Sequence, residues 1–184
     1  MIDELFDNYG EINTERLKLR RITAADVNDI FEIFSDREVM LWYDDRFAFE
    51  SISEAEEMIK QFNDGIDERR SLRWGIEYDG RLAGTCGFHC LSEYHRRAEI
   101  GYDLNRDYWG RGIMTEALKG IIGYAFDVSE LNRIEAYVEP PNTASRKLLE
   151  RIGFTYEGTL RQHEMCRGEI IDIVILSLLR DDMP

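Results

Sequence analysis

Tyr102-Asp-Leu-Asn-Arg-Asp-Tyr-Trp-Gly-Arg-Gly-Ile-Met-Thr-Glu-Ala117 is the joint between two kinds of pattern. Upstream, Arg97–Leu104 reads as a strand, on which Arg97, Glu99, Gly101 and Asp103 share one face by alternation. Downstream, Gly112–Phe126 carries Ile113, Ala117, Leu118, Ile121, Ile122 and Ala125, a broad helical face able to cover a sheet. Gly110 and Gly112 sit where the loop becomes this helix. Glycine lets backbone approach a ligand closely, and a helix start presents unpaired N–H groups, so the joint can cradle a pyrophosphate. Arg106 and Arg111 add positive charge beside it. A plain tight turn has the same spacing, and neither a G-x-x-x-x-G-K-[ST] loop nor a full dinucleotide fingerprint is present.

Outward from this joint, strands and helices alternate. Thr14–Ile22 has a mostly period-2 pattern and predicts a first strand; Thr23 with Asp26 starts a helix striped by Val27, Ile30, Phe31 and Phe34. Ser53–Phe62 predicts a second helix. Leu72–Tyr78 and Arg81–Cys90 flank Asp79-Gly80, the signature of a hairpin turn. Beyond the central helix come a strand at Arg133–Glu139, a short helix ending at Gly153, and strands around Phe154–Arg161 and Ile170–Leu178. About seven strands interleaved with about four helices predict an α/β layered fold.

The chain has 184 residues, 43% apolar, without a Ser/Gly-rich or repetitive linker, which predicts a single domain over residues 1–184. Its net charge of −14 argues against a nucleic-acid backbone as partner. The charge is −10 over residues 1–70 (19 acidic, 9 basic) and −4 over residues 71–184 (18 acidic, 14 basic), a field favouring cationic ligands near the first half. No membrane span and no signal peptide are visible, so a cytoplasmic protein is expected. Cys86, Cys90 and Cys166 lack a paired C-x-x-C and are read as small half-buried thiols; neither a disulfide nor a metal site is expected.

A second polar feature is Glu139-Pro-Pro-Asn142-Thr-Ala-Ser145-Arg-Lys-Leu-Leu-Glu-Arg-Ile-Gly-Phe154. Asn142 reads as an N-cap with Ser145 three positions on, so both side chains can face one end of the helix. They serve either one ligand or simple capping. Together with Thr14-Glu-Arg-Leu-Lys-Leu-Arg20, Ala98-Glu-Ile-Gly-Tyr102, Gly153-Phe-Thr-Tyr-Glu-Gly158 and Asp172-Ile-Val-Ile-Leu-Ser-Leu-Leu179, these segments resemble the GCN5-related N-acetyltransferase (GNAT) superfamily. The resemblance is closest to its branch of ribosomal-protein alanine N-acetyltransferases, and it covers nearly the whole chain. One departure is Asp107, three residues before the first glycine, where the superfamily often has Gln or Arg.

The resemblance implies a mixed sheet with a V-shaped gap between the fourth and fifth strands, which end at Leu104 and Glu139, and acetyl-CoA bound there. Pantetheine would pair with the backbone of Tyr102, Asp103 and Leu104, and the pyrophosphate would meet N–H groups of Trp109, Gly110, Arg111, Gly112, Ile113 and Met114. Asn142 would hold the pantetheine amide. Arg111, Arg146 and Lys147 would meet phosphates or be solvated helix charges. Direct acetyl transfer to a primary amine needs a free amine, stabilisation of the carbonyl oxygen and a proton for the leaving thiolate. A backbone N–H in Ile100–Asp103 is the candidate for the oxygen, Ser145 for the proton and Glu99 for the base. For Glu99 the alternative is pairing with Arg96, Arg97 or Arg161.

Trp42-Tyr-Asp-Asp45, His163 and Glu164 are expected near the acceptor, as pocket wall or solvated turn. The favoured acceptor is a protein N-terminal α-amine. A polyamine, amino-acid conjugate or aminoglycoside, or a non-catalytic acetyl-CoA-binding module, are the alternatives; a homodimer is left open.

Overall fold

Asp79 and Gly80, both with positive φ (+52° and +76°), turn the chain between β3 (Leu72–Tyr78) and β4 (Arg81–Ser92), the antiparallel centre of the sheet. The computed structural model describes residues 2–43 and 47–183. Around this hairpin lie β1 (Ile12–Asn13), β2 (Lys18–Arg20), β5 (Arg97–Leu104), β6 (Arg133–Val138), β7 (Thr155–Cys166) and β8 (Glu169–Leu179). The order is β1-β2-β3-β4-β5-β6-β8-β7, antiparallel except where β5 meets β6. The helices are α1 (Asp3–Asp7), α2 (Val27–Ser35), α3 (Ile52–Asp67), α4 (Ile113–Val128) and α5 (Thr143–Ile152).

Among the described residues, eight strands and five α-helices thus stand where about seven and about four are read from sequence. The additions are β1 and α1, two and five residues long, too short to show a period. Thr23 and Asp26 do form a capping box, but the first turn, Ala24–Asp26, is a tighter 3-10 turn before α2. Helix α3 begins at a Ser51–Glu54 capping box and runs five residues past Phe62, burying Gly65 and Ile66. Strands β7 and β8 extend to Cys166 and from Glu169; β7 is largely exposed and its outer half carries no clear alternation.

Two apolar layers sandwich the sheet. One joins Trp74, Phe88 and Ile100 to Ile113, Leu118 and Ile121 of α4. The other joins Ile22 and Leu82 to Ile30 and Phe34 of α2 and Met58 of α3. Alternation along β5 therefore turns Ile100 and Tyr102 toward α4 and α5, and Glu99, Gly101 and Asp103 toward the α2–α3 side.

Strands β5 and β6 pair in only three positions: Arg97 with Arg133, Ala98 with Ile134, and Glu99 with Glu135. Beyond Glu99, β5 continues beside β4 as far as Leu104, while β6 stays paired with β8 through Val138. Each strand keeps its outer partner, so sheet twist separates them and a V-shaped gap opens.

Candidate active site

Backbone groups line the gap on the β5 side. The N–H of Asn105 bonds to Ala83 O at 2.9 Å. Because successive residues alternate, Ile100, Tyr102 and Leu104 direct their N–H and C=O toward the gap. Trp109 Nε1 donates to Leu104 O at 2.8 Å, which ties the loop to the strand end. A cleft of about 1340 Å³ opens here.

At the floor of the cleft, Gly110 and Gly112 hold φ of +73° and +74°, left-handed values that favour glycine. Gly112 is the N-cap of α4 and supplies no side chain to cap it, and the first intrahelical bond is Glu116 N to Gly112 O at 3.1 Å. The N–H groups of Ile113, Met114 and Thr115, all lining the cleft, therefore have no partner within the helix. A Cβ on Gly110 would meet nothing within 4 Å, so the loop lies against open space. The loop is braced from behind by Arg16, which donates to Arg111 O at 3.1 Å and pairs with Glu116 at 2.7 Å.

Asn142 caps α5 with its Oδ1 accepting from Ser145 N at 3.1 Å. This turns Ser145 toward β5, where its hydroxyl lies 2.7 Å from the Tyr102 hydroxyl. Burial pushes the Tyr102 phenol above its ordinary pKa, so it stays protonated. No local pattern marks the Tyr102 side chain; only the packing of α5 on β5 brings the pair together.

The basic residues divide. Arg106, expected beside the glycines, instead pairs with Asp36 at 3.0 Å. Arg111 is exposed, its guanidinium 5.5 Å from the Tyr108 ring centre, and Lys147 lines the cleft. Arg146 donates through Nη1 to Pro140 O at 3.4 Å, while its Nε is buried without a protein partner.

On the opposite face, Glu99 lies half-buried, its Oε2 3.5 Å from His89 Nε2. Burial raises its pKa, with the negative charges of Glu135 and Glu164 adding to the effect against the Cys90 hydrogen bond and Arg97. Two of the arginines considered as its partners are engaged elsewhere: Arg97 with Glu135 at 2.7 Å, Arg96 with Glu130 at 3.6 Å. Next along β5, Asp103 is buried, ion-paired to Arg73 and accepting from Thr85 Oγ1 at 3.3 Å. Trp42, His163 and Glu164 line the cleft, and the His163 ring stacks on Tyr137 at 6.3 Å. Asp44 and Asp45 lie outside the described residues. The sequence signal for His89 was its place across the β4–β5 hairpin from Glu99, obscured by an irregularity in register between His89 and Ser92.

Residues 16–155 match the acetyltransferase (GNAT) domain. The chain belongs to the GNAT acetyltransferase family. It is 42% identical over 169 residues (91% of this chain, 94% of the relative) to an uncharacterized N-acetyltransferase, p20, of Bacillus licheniformis. It is 33% identical over 172 residues (90% and 92%) to a Bacillus subtilis protein named "Putative ribosomal N-acetyltransferase YdaF". The GNAT fold is shared, at TM-score 0.83 and 20% identity over 94% of this chain and 99% of the other, with RimL, a ribosomal L7/L12 alpha-N-protein acetyltransferase in complex with coenzyme A. This acetyltransferase is thus an N-acetyltransferase by family and resembles the ribosomal branch. Among its described residues no helix is long and apolar enough to cross a membrane.

Proposed function

We propose that this acetyltransferase moves the acetyl group of acetyl-CoA directly onto a protein N-terminal α-amine, with ribosomal proteins as the substrate class and the cytoplasm as its place. The observation that carries this reading is the splayed β5 edge, with the Tyr102–Ser145 hydroxyl pair on one face and Glu99 on the other. The relationship to YdaF supports the ribosomal substrate class.

The site suits the cofactor's chemistry. The gap-facing N–H and C=O of Tyr102 and N–H of Leu104 suit the amides of pantetheine, and Asn142 lines the same cleft. Uncapped N–H groups at Ile113 and Met114, reached past Trp109, Gly110, Arg111 and Gly112, suit a pyrophosphate. Lys147 on the cleft wall suits a phosphate, whereas Arg146 is absent from the cleft lining and its Nε is buried.

In this reading, Glu99 takes the amine proton directly or through water, and a β5 N–H between Ile100 and Asp103 stabilises the carbonyl oxygen as it becomes negative. Ser145 Oγ gives its proton to the departing thiolate and regains one from cleft water, which takes up the proton that Glu99 releases, while the Tyr102 hydroxyl stays protonated and holds Ser145 by its hydrogen bond. A small polyamine is the second reading, favoured by the charge of −10 over residues 1–70. Release of CoA thiol across a panel of peptide N-termini, polyamines and aminoglycosides tests both. Turnover confined to polyamines or aminoglycosides would overturn the α-amine assignment.

A further inference from the structure

We propose that His89, Cys90 and Glu99 form a binding site for a zinc-class divalent metal at the acceptor side of the cleft, and that the bound metal blocks acetyl transfer. Consecutive strand residues ordinarily point to opposite faces, yet the ligand atoms of His89 and Cys90 both lie with a Glu99 oxygen, all within 4.8 Å of one another. The backbone is bent to allow this. The β4–β5 register breaks between His89 and Ser92, and Cys90 holds φ of +48°, a left-handed value uncommon for a side-chain-bearing residue. Such an outlier points to a local requirement that overrides backbone preference.

The donor set identifies the ion. An imidazole nitrogen, a thiolate and a carboxylate make a three-ligand zinc set with a fourth position open, here toward the cleft. Magnesium and calcium favour all-oxygen shells and are poor matches for a sulfur ligand. Tetrahedral donors about 2.0–2.3 Å from zinc lie about 3.3–3.8 Å apart. His89 Nε2 and Glu99 Oε2 already stand at 3.5 Å and the whole set lies within 4.8 Å, so reaching tetrahedral spacing takes a small contraction. His89 and Cys90 are exposed, so an ion can enter, and Glu135 and Glu164 contribute a negative field at Glu99. On binding, the Cys90 S–H bond breaks, the S–Zn bond forms and the proton passes to buffer; no oxidation state changes. A sequence search keyed to C-x-x-C misses the set because its donors come from two strands.

Metal binding is independent of the acceptor assignment; the inhibitory half rests on Glu99 facing the amine. Titration of the full chain with Co²⁺, without acetyl-CoA, reads the site through a thiolate-to-cobalt charge-transfer band. One equivalent should saturate the band, and Zn²⁺, but not Mg²⁺, should displace it. Cys90→Ser should abolish the band, His89→Ala should weaken cobalt binding at least about tenfold, and Cys166→Ser should retain both. Circular dichroism checks that each variant is folded. Absence of a band in the wild type, or its persistence in folded Cys90→Ser, overturns the site. Zn²⁺ should also inhibit acetyl transfer, with the half-inhibiting concentration rising at least about tenfold in Cys90→Ser, each protein being compared with its own metal-free rate. Zinc binding without inhibition would overturn the regulatory half alone. A failed acceptor panel would bear only on the proposed function, because the cobalt band is read without turnover.

Discussion

The hydroxyls of Tyr102 and Ser145 stand 2.7 Å apart across the junction of β5 and α5. Ser145 is held there because its own N–H donates to Asn142, so one side chain both caps the helix and aims the hydroxyl. Tyr102 is held by a strand whose other edge is paired with β4 without a break from Glu99 to Leu104.

Ser145→Ala should lower kcat by about 10²-fold, with the Kd for acetyl-CoA little changed, because a proton given to a leaving thiolate counts mainly in the transition state. Tyr102→Phe should give a smaller loss, about tenfold, that vanishes in the Ser145→Ala background. Steady-state kinetics beside calorimetric titration would show this. Wild-type kcat in Ser145→Ala would assign the proton to water.

Gly112→Val should weaken acetyl-CoA binding at least about tenfold by disturbing the φ of +74° that opens the α4 N-terminus. Crowding is not the cause, since a Cβ there would meet only Arg16 Nη2, at 3.6 Å. The left-handed conformation costs about 1–2 kcal/mol for a residue with a side chain, so Tm should fall by roughly 2–8 °C. Titration of the folded variant decides; unchanged affinity would make the joint purely structural.

Glu99→Gln should lower the rate with an N-terminal peptide about tenfold at pH 7, where an α-amine of pKa about 8 is only about one-tenth free. Raising the pH should recover most of the loss, because the free amine then needs no base. With a polyamine the defect should persist to higher pH. Rate against pH for both proteins measures this, and superimposable profiles would remove Glu99 from the reaction.

Asp103→Ala should destabilise the fold by about 3–5 kcal/mol, because it strands the guanidinium of Arg73, whose side chain is only 12% exposed. Urea denaturation should show the loss, and the double variant with Arg73→Met should recover part of it. A single variant as stable as wild type would mean that Arg73 finds another partner.

Acid should weaken the β8–β7 edge through Glu157. Arg133 donates to both its oxygens, at 2.7 and 2.6 Å, and Ser177 Oγ donates at 2.6 Å, which lowers its pKa from 4.5 to about 2. A carboxylate with a depressed folded pKa contributes stability above its unfolded value, lost as pH falls from about 4.5 toward 2. The urea midpoint should therefore fall less steeply over that window in Glu157→Gln than in wild type. Parallel slopes would show that the ion pair contributes nothing measurable.

The sequence by itself determined what is settled within a few residues. Asp79-Gly80 tolerates the positive φ of a tight hairpin turn, Thr23, Ser51 and Asn142 carry the oxygens that cap helix starts, and the apolar stripe of α4 follows from its 3.6-residue period. The strand Arg97–Leu104 and the glycine joint after it were legible for the same reason. Tertiary structure alone decided which side chains meet. Tyr102 and Ser145 are 43 residues apart, Arg73 and Asp103 are 30 apart, and Arg106 turned from the glycine loop to Asp36. The gap itself depends on β5 and β6 pairing at three positions before twist separates them. Such contacts are fixed by strand register and by the docking of helices on a twisted sheet, which no local pattern encodes.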